Sequence, residues 1–145
     1  MSKIRLIRDK EQLEGTLYFE ILPGEYKGRC WNEGSLFVDE EVFAYLEPII
    51  EEHAPHFDHY AFVEIPPETW YLIIADLRDL RADLAEAESI EELRGRVGFI
   101  FAGSERDFAD HFEENRDSLR ELLGELIVWL EDALETHATI SLLGI

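Results

Sequence analysis

The stretch Tyr60-Ala61-Phe62-Val63-Glu64-Ile65-Pro66-Pro67-Glu68-Thr69-Trp70 holds a strand, its stop and the start of a helix. Tyr60 to Ile65 has the aromatic and β-branched composition of a buried strand. Pro66-Pro67 closes it, because proline withdraws a backbone donor and turns the residue before it away from helical geometry. Pro67 then suits the first turn of a helix, where its missing N–H is not needed. Trp70, Ile73, Leu77, Leu80 and Leu84 recur at helical spacing, so one face of this helix is apolar. The stripe is too short for a sustained coiled-coil seam and reads as a helix packed on the chain's own sheet.

Outward toward the N-terminus the chain reads as β-rich. Lys3 to Arg8 and Thr16 to Leu22 carry strand-like composition, Pro23-Gly24 marks a tight turn, and Tyr26 to Trp31 reads as the returning arm. Asn32-Glu33-Gly34-Ser35 is a second turn before Leu36-Phe37-Val38. Asp39 suits an N-cap, with Glu40 and Glu41 in the first turn of a helix running to about Glu52 that Pro48 must kink or interrupt.

Toward the C-terminus, Ser89 and Glu92 match a capping box, Gly95 ends that short helix, and Val97-Gly98-Phe99-Ile100-Phe101 reads as a buried strand. After Gly103, Ser104 and Asp107 form a second capping-box pattern. The helical region that follows carries Phe108, Phe112, Leu119, Leu123, Leu126, Leu130 and Leu134, bent or divided near Asn115. Ala138 to Leu143 closes the chain as a strand. The expectation is a single α+β domain over residues 1–145, with a mixed or antiparallel sheet packed against two or three longer helices.

Charge narrows the function classes. The 145 residues hold 33 Asp plus Glu against 13 Lys plus Arg, a formal net charge of −20. Direct binding of nucleic acid or of an anionic membrane surface meets like-charge repulsion. A 46% hydrophobic content supplies a core. Cys30, the one cysteine, has no intramolecular partner, and no run suits a secretory signal or a membrane span, so a cytoplasmic protein is expected.

Few residues suggest chemistry. His53, His56, Asp58 and His59 bring three imidazoles and a carboxylate into seven residues, ligand types suited to zinc. Pro55 breaks any regular spacing between them, so the segment reads as a polar loop, with no metal or cofactor expected. Ser104 lacks the second glycine of a nucleophile elbow. Cys30 reads as a buried or half-buried thiol. No glycine-rich phosphate loop precedes a helix. No catalytic residue is assigned, and the expectation is a non-enzymatic protein.

The acids themselves are the remaining signal. Glu113, Glu114, Asp117, Glu121, Glu125, Glu131, Asp132 and Glu135 lie off the apolar stripe of the last helical region, and Asp76, Asp79, Asp83, Glu86, Glu88, Glu91 and Glu92 follow the preceding long helix. Solubility alone calls for a net charge of only about 2 to 8. Twenty uncompensated charges repel one another, and a cationic partner relieves that repulsion while accelerating encounter. The contacts expected for such a partner are Glu113, Glu114, Asp117, Glu121, Glu125, Asp132, Asp79 and Asp83. Trp31, near a turn, is the candidate aromatic anchor, whereas Trp70 falls on the core stripe and Trp129 flanks one.

In length, charge and α+β pattern the chain resembles the small acidic cytoplasmic immunity proteins of bacterial toxin–immunity systems. The resemblance implies a single-domain inhibitor that covers the basic active-site surface of a cognate toxin, a nuclease in many such pairs, and it assigns no individual residues. The composition also resembles that of small acidic chaperones of secreted effectors, which act as dimers and hold extended peptides on apolar patches. A metal-dependent hydrolase using His53, His56, Asp58 and His59 is the enzyme-class alternative. The chain is expected as a monomer, or as a homodimer through the Trp70 to Leu84 stripe or a sheet edge.

Overall fold

The computed structural model describes residues 3–145. Four strands, β1 (Tyr18–Pro23), β2 (Leu36–Asp39), β3 (Phe62–Ile65) and β4 (Ile140–Leu143), form one antiparallel sheet in the order β2-β1-β4-β3. The last strand of the chain therefore lies inside the sheet, between β1 and β3. Ile21 stands opposite Leu36 on β2 and Leu142 on β4, and Ile65 opposite Ile140. The pleat sends Phe19, Ile21, Leu36, Val38, Ile65, Ile140 and Leu142 to one face, all within the main apolar core.

Five helices accompany the sheet: α1 (Glu40–Ala44), α2 (Glu47–His53), α3 (Pro67–Glu86), α4 (Ser104–Asp110) and α5 (Phe112–Thr136). All five members of the α3 stripe, Trp70, Ile73, Leu77, Leu80 and Leu84, are buried in that core with Leu119, Leu123, Leu126, Leu130 and Leu134 of α5. Trp70 also donates its indole N–H to the Ile140 carbonyl at 3.1 Å, tying α3 to the inner strand β4. The stripe is spent inside the chain, which removes the homodimer expected through it.

The opposite face of the sheet is buried as well. Leu22, Phe37 and Leu143 point away from the helices yet are almost wholly covered, as is Glu20 between them. The cover is the segment 24–35, expected to return as a strand over Tyr26 to Trp31 but in fact irregular. Its polar groups go to side chains of the sheet instead of a ladder. One Glu20 oxygen accepts from the Trp31 amide at 2.5 Å. The other accepts from the Asn32 amide at 3.0 Å, the Asn32 side chain at 3.0 Å and the Ser35 hydroxyl at 2.6 Å. Glu64 accepts from the Tyr26 amide, and Ser141 donates to the Gly24 carbonyl. Trp31 takes a φ of 63°, a left-handed conformation that side chains rarely adopt, at the point where its amide meets Glu20. The expected Lys3 to Arg8 strand reduces to Ile7, which exchanges two backbone hydrogen bonds with Phe37 on the β2 edge.

Other local expectations shift in instructive ways. The helix expected over Glu40 to Glu52 ends at Ala44 and restarts at Glu47, with Pro48 in the first turn of α2, and Asp39 makes no side-chain cap bond. The Ser89–Glu92 capping box forms on a single 3₁₀ turn, Ile90–Leu93. Val97 to Phe101 is an irregular strap. Gly98 donates to the Tyr45 carbonyl at 3.2 Å, and a Cβ on Gly98 would lie 2.4 Å from the Ala44 carbonyl, a close approach only glycine permits. Ser104 makes no cap; its hydroxyl donates to buried Glu41 at 2.6 Å. The division of the last helical region falls at His111, four residues before Asn115, whose amide donates to the carbonyls of Asp107 and Phe108 at the end of α4. β3 is a largely exposed edge strand and not a buried one.

Because Glu20 answers four donors, Glu20→Ala leaves several of them unsatisfied beneath the loop. It should lower the unfolding free energy by about 3 kcal/mol. Glu64→Ala, which releases one exposed amide, should lower it by under about 1 kcal/mol. Urea denaturation of the two variants measures both, and equal losses would mean that the loop is held by something other than Glu20.

Candidate functional site

The histidine segment does not converge. His53 closes α2 and its Nε2 lies 2.5 Å from Oδ2 of Asp76 on α3. His59 faces the other way, with Nε2 2.7 Å from Glu40 of α1 and Nδ1 in a very short contact with Glu47 of α2. His56 and Asp58 are exposed, and Asp58 accepts from the Tyr60 amide in a local turn. The ligand set His53, His56, Asp58 and His59 is thus split, because Ala54 and Phe57 between the histidines are drawn into the apolar core. Two new groupings replace it: a Glu40–His59–Glu47 bridge, and Glu52, His53 and Asp76, whose ligand atoms all lie within 4.8 Å of one another.

In the bridge all three side chains are nearly inaccessible, at 9%, 10% and 13% exposure for His59, Glu40 and Glu47. Burial by itself disfavours the imidazolium, but hydrogen bonds and charge from Glu40 and Glu47 outweigh it and raise the His59 pKa above its ordinary value. The bridge joins α1, α2 and the entry to β3, and the backbone carbonyl of His59 takes the amide of Ile145 at the chain's end. Glu40 and Glu41, expected only to complement a helix end, instead hold His59 and Ser104.

The thiol reading also changes. Cys30 is exposed on the segment that covers the sheet, and partial burial and then Glu20 push its pKa up, away from the thiolate that a nucleophile requires. Tyr45 is fully buried, and burial followed by Glu41 and Asp107 pushes its phenol well above the ordinary range, so it stays a neutral core group.

The acids expected to meet a partner fall into two unequal sets. On α5, Glu113, Glu114, Asp117, Glu121, Glu125 and Asp132 are all exposed. Glu114, Asp117, Glu121, Glu125 and Asp132, with Glu135 beyond, follow one another at three- or four-residue steps, with exposed Val128 filling the one gap. They form a single ridge along the outer face of a 25-residue helix. Among the described residues, basic groups pair with it at two points, Arg116 at 3.2 Å from Asp117 and Arg8 at 3.9 Å from Glu125. On α3 the exposed face is mixed. Arg78 pairs with Glu131, Asp83 is taken by Arg96, and Tyr71 and Leu72 interrupt the acids near the start. Asp79 is exposed one turn beyond Asp76. Trp31 is half-buried over Glu20, so it presents only part of its ring, and Trp129 packs against the core. Three exposed aromatics, Tyr60, Phe62 and Tyr26, flank the β3 edge, with the Tyr26 and Phe62 rings 4.9 Å apart, and Tyr71 and Phe101 are exposed away from it.

No helix among the described residues is long and apolar enough to cross a membrane. Comparison with known protein families, with characterised proteins and with solved structures finds no match.

The His59 bridge carries a pH signature. A native pKa above the unfolded value of 6.5 stabilises the fold fully on the acid side of that value, and the contribution is lost as pH rises through the native pKa. His59→Gln, which keeps a donor but cannot titrate, should flatten the decline in stability that the wild type shows from near neutral to mildly alkaline pH. His59→Ala leaves two buried carboxylates without their shared cation and should cost about 3 kcal/mol. Thermal denaturation across this range checks both.

Proposed function

We propose that this chain is a non-enzymatic binding protein that lays an acidic helix face on a basic protein partner, and that it acts as an immunity or inhibitor protein occluding the basic active-site surface of a toxin. The observation that carries this reading is the α5 ridge: five exposed acids along one helix face, at three- and four-residue steps except where Val128 stands between Glu125 and Asp132, with ion pairs among the described residues at Asp117 and Glu125 alone, on a chain of net charge −20. Such a ridge repels itself in the free protein. A cationic surface laid along it relieves that repulsion, and the field around it steers the encounter. The inhibitor needs no chemistry of its own. It binds where the partner's substrate, itself anionic in the case of a nuclease, would otherwise sit.

The ridge also stands on a rigid support. The opposite face of α5, Leu119, Leu123, Leu126, Leu130 and Leu134, is locked into the core, so the acids are held in place before binding and little order need be imposed at the interface. The reading as a chaperone of a secreted effector draws support from a different place, the exposed Tyr26, Tyr60 and Phe62 beside the β3 edge, where an extended peptide could pair.

The two readings separate by salt and by mutation. Affinity capture from the source lysate should retain one basic protein in stoichiometric amount. Reversal of Glu114, Glu121 and Glu125 to Lys, or a rise in salt from roughly 50 to roughly 300 mM, should each weaken its binding by at least about tenfold. Capture that ignores both changes but is lost in Phe62→Ala would overturn the charge-led reading and favour the chaperone.

A further inference from the structure

We propose that Glu52 and His53 at the end of α2 and Asp76 on α3 form a binding site for a divalent transition-metal ion of the zinc class, clipping α2 to α3. This site is independent of the acidic ridge on α5 and of the binding reading built on it. Three kinds of observation converge on it. The donor atoms of the three side chains lie within 4.8 Å of one another although they come from two helices, so a single ion can reach all three. Two of the three, Glu52 and Asp76, line a cleft of about 240 Å³ together with Asp79, room enough for an ion and its remaining water ligands.

The third observation is the charge balance of that cleft. Arg96, the one basic residue lining it, is turned to Asp83, one helical turn beyond Asp79. Among the described residues, Glu52 and Asp79 form no ion pair, and Asp76 pairs only with His53. Three carboxylates, Glu52, Asp76 and Asp79, thus line the cleft with no Lys or Arg paired to them among the described residues. A divalent cation supplies the missing positive charge.

The donor types select the class of ion. Two carboxylate oxygens and one imidazole nitrogen suit zinc and its neighbours better than calcium or magnesium, which prefer all-oxygen shells. Tetrahedral coordination at about 2.0 to 2.1 Å sets neighbouring ligand atoms about 3.3 Å apart. The His53–Asp76 contact of 2.5 Å must therefore open by a modest side-chain rotation as the ion comes between them. With two carboxylates and one imidazole, the site leaves a fourth position for water or for Asp79.

The test is a calorimetric titration of the chelator-treated protein with zinc chloride, run beside a thermal-shift measurement. One ion per chain is expected, with an affinity in the micromolar range or tighter and a rise in melting temperature on saturation. His53→Ala and Asp76→Asn should each weaken binding at least about tenfold and abolish the thermal shift, while His56→Ala, three residues away on an exposed loop, should leave both unchanged. Should either ligand variant unfold, Glu52→Gln, on an exposed side chain, tests the same site without touching the core. Zinc binding weaker than about 1 mM, or binding lost with His56 and retained without His53, would overturn the assignment and leave only adventitious surface coordination.

Discussion

A carboxylate in the middle of an inner strand is costly to bury unless its oxygens are fully bonded. Glu20 meets that condition with four donors drawn from residues 31 to 35, and much of the architecture follows from it. A sheet with helices on one side has a second side to cover. Here, among the described residues, no second helical layer exists, and the irregular segment 24–35 takes its place. Such a segment has few apolar residues to hold it down, so polar anchoring at Glu20, Glu64 and Ser141 supplies what apolar packing does not. The left-handed backbone of Trp31 is accepted at the point of tightest attachment.

The acids of this chain divide into those that build the fold and those that surround it. Glu20, Glu40, Glu41 and Glu47 are buried or nearly so and each meets a donor: loop amides, His59 or Ser104. The exposed acids of α5 serve no structural bond that would require so many of them. The distinction bears on function, since only charge that the fold does not use is free to recognise a partner. On α3, by comparison, Asp83 is paired with Arg96 of the strap and Asp76 with His53.

Helices and their buried faces were legible because helical periodicity is a local property. The stripe from Trp70 to Leu84, the restart at Pro48, the capping box at Ser89 and the closing strand all appear where residue spacing and local backbone chemistry put them. The irregular parts were misread for one shared reason. Tyr26 to Trp31 and Val97 to Phe101 have strand composition, but their polar backbone is satisfied by distant groups: the Glu20 and Glu64 carboxylates for the first, the Tyr45 carbonyl for the second. The histidine cluster failed as a site in the same way. Asp76, Glu40 and Glu47 decide where His53 and His59 point, and they lie 23, 19 and 12 residues away in sequence.

By itself the sequence determined the class of the fold, its acidity and the two long helices that carry acids off their apolar stripes, because composition and the 3.6-residue period survive without knowledge of neighbours. Tertiary structure alone decided which acids are buried and bonded, which exposed acids meet an arginine, and that Glu52, His53 and Asp76 come together. Those outcomes depend on side chains from separate elements approaching within a few ångströms, and no spacing along the chain encodes an approach of that kind.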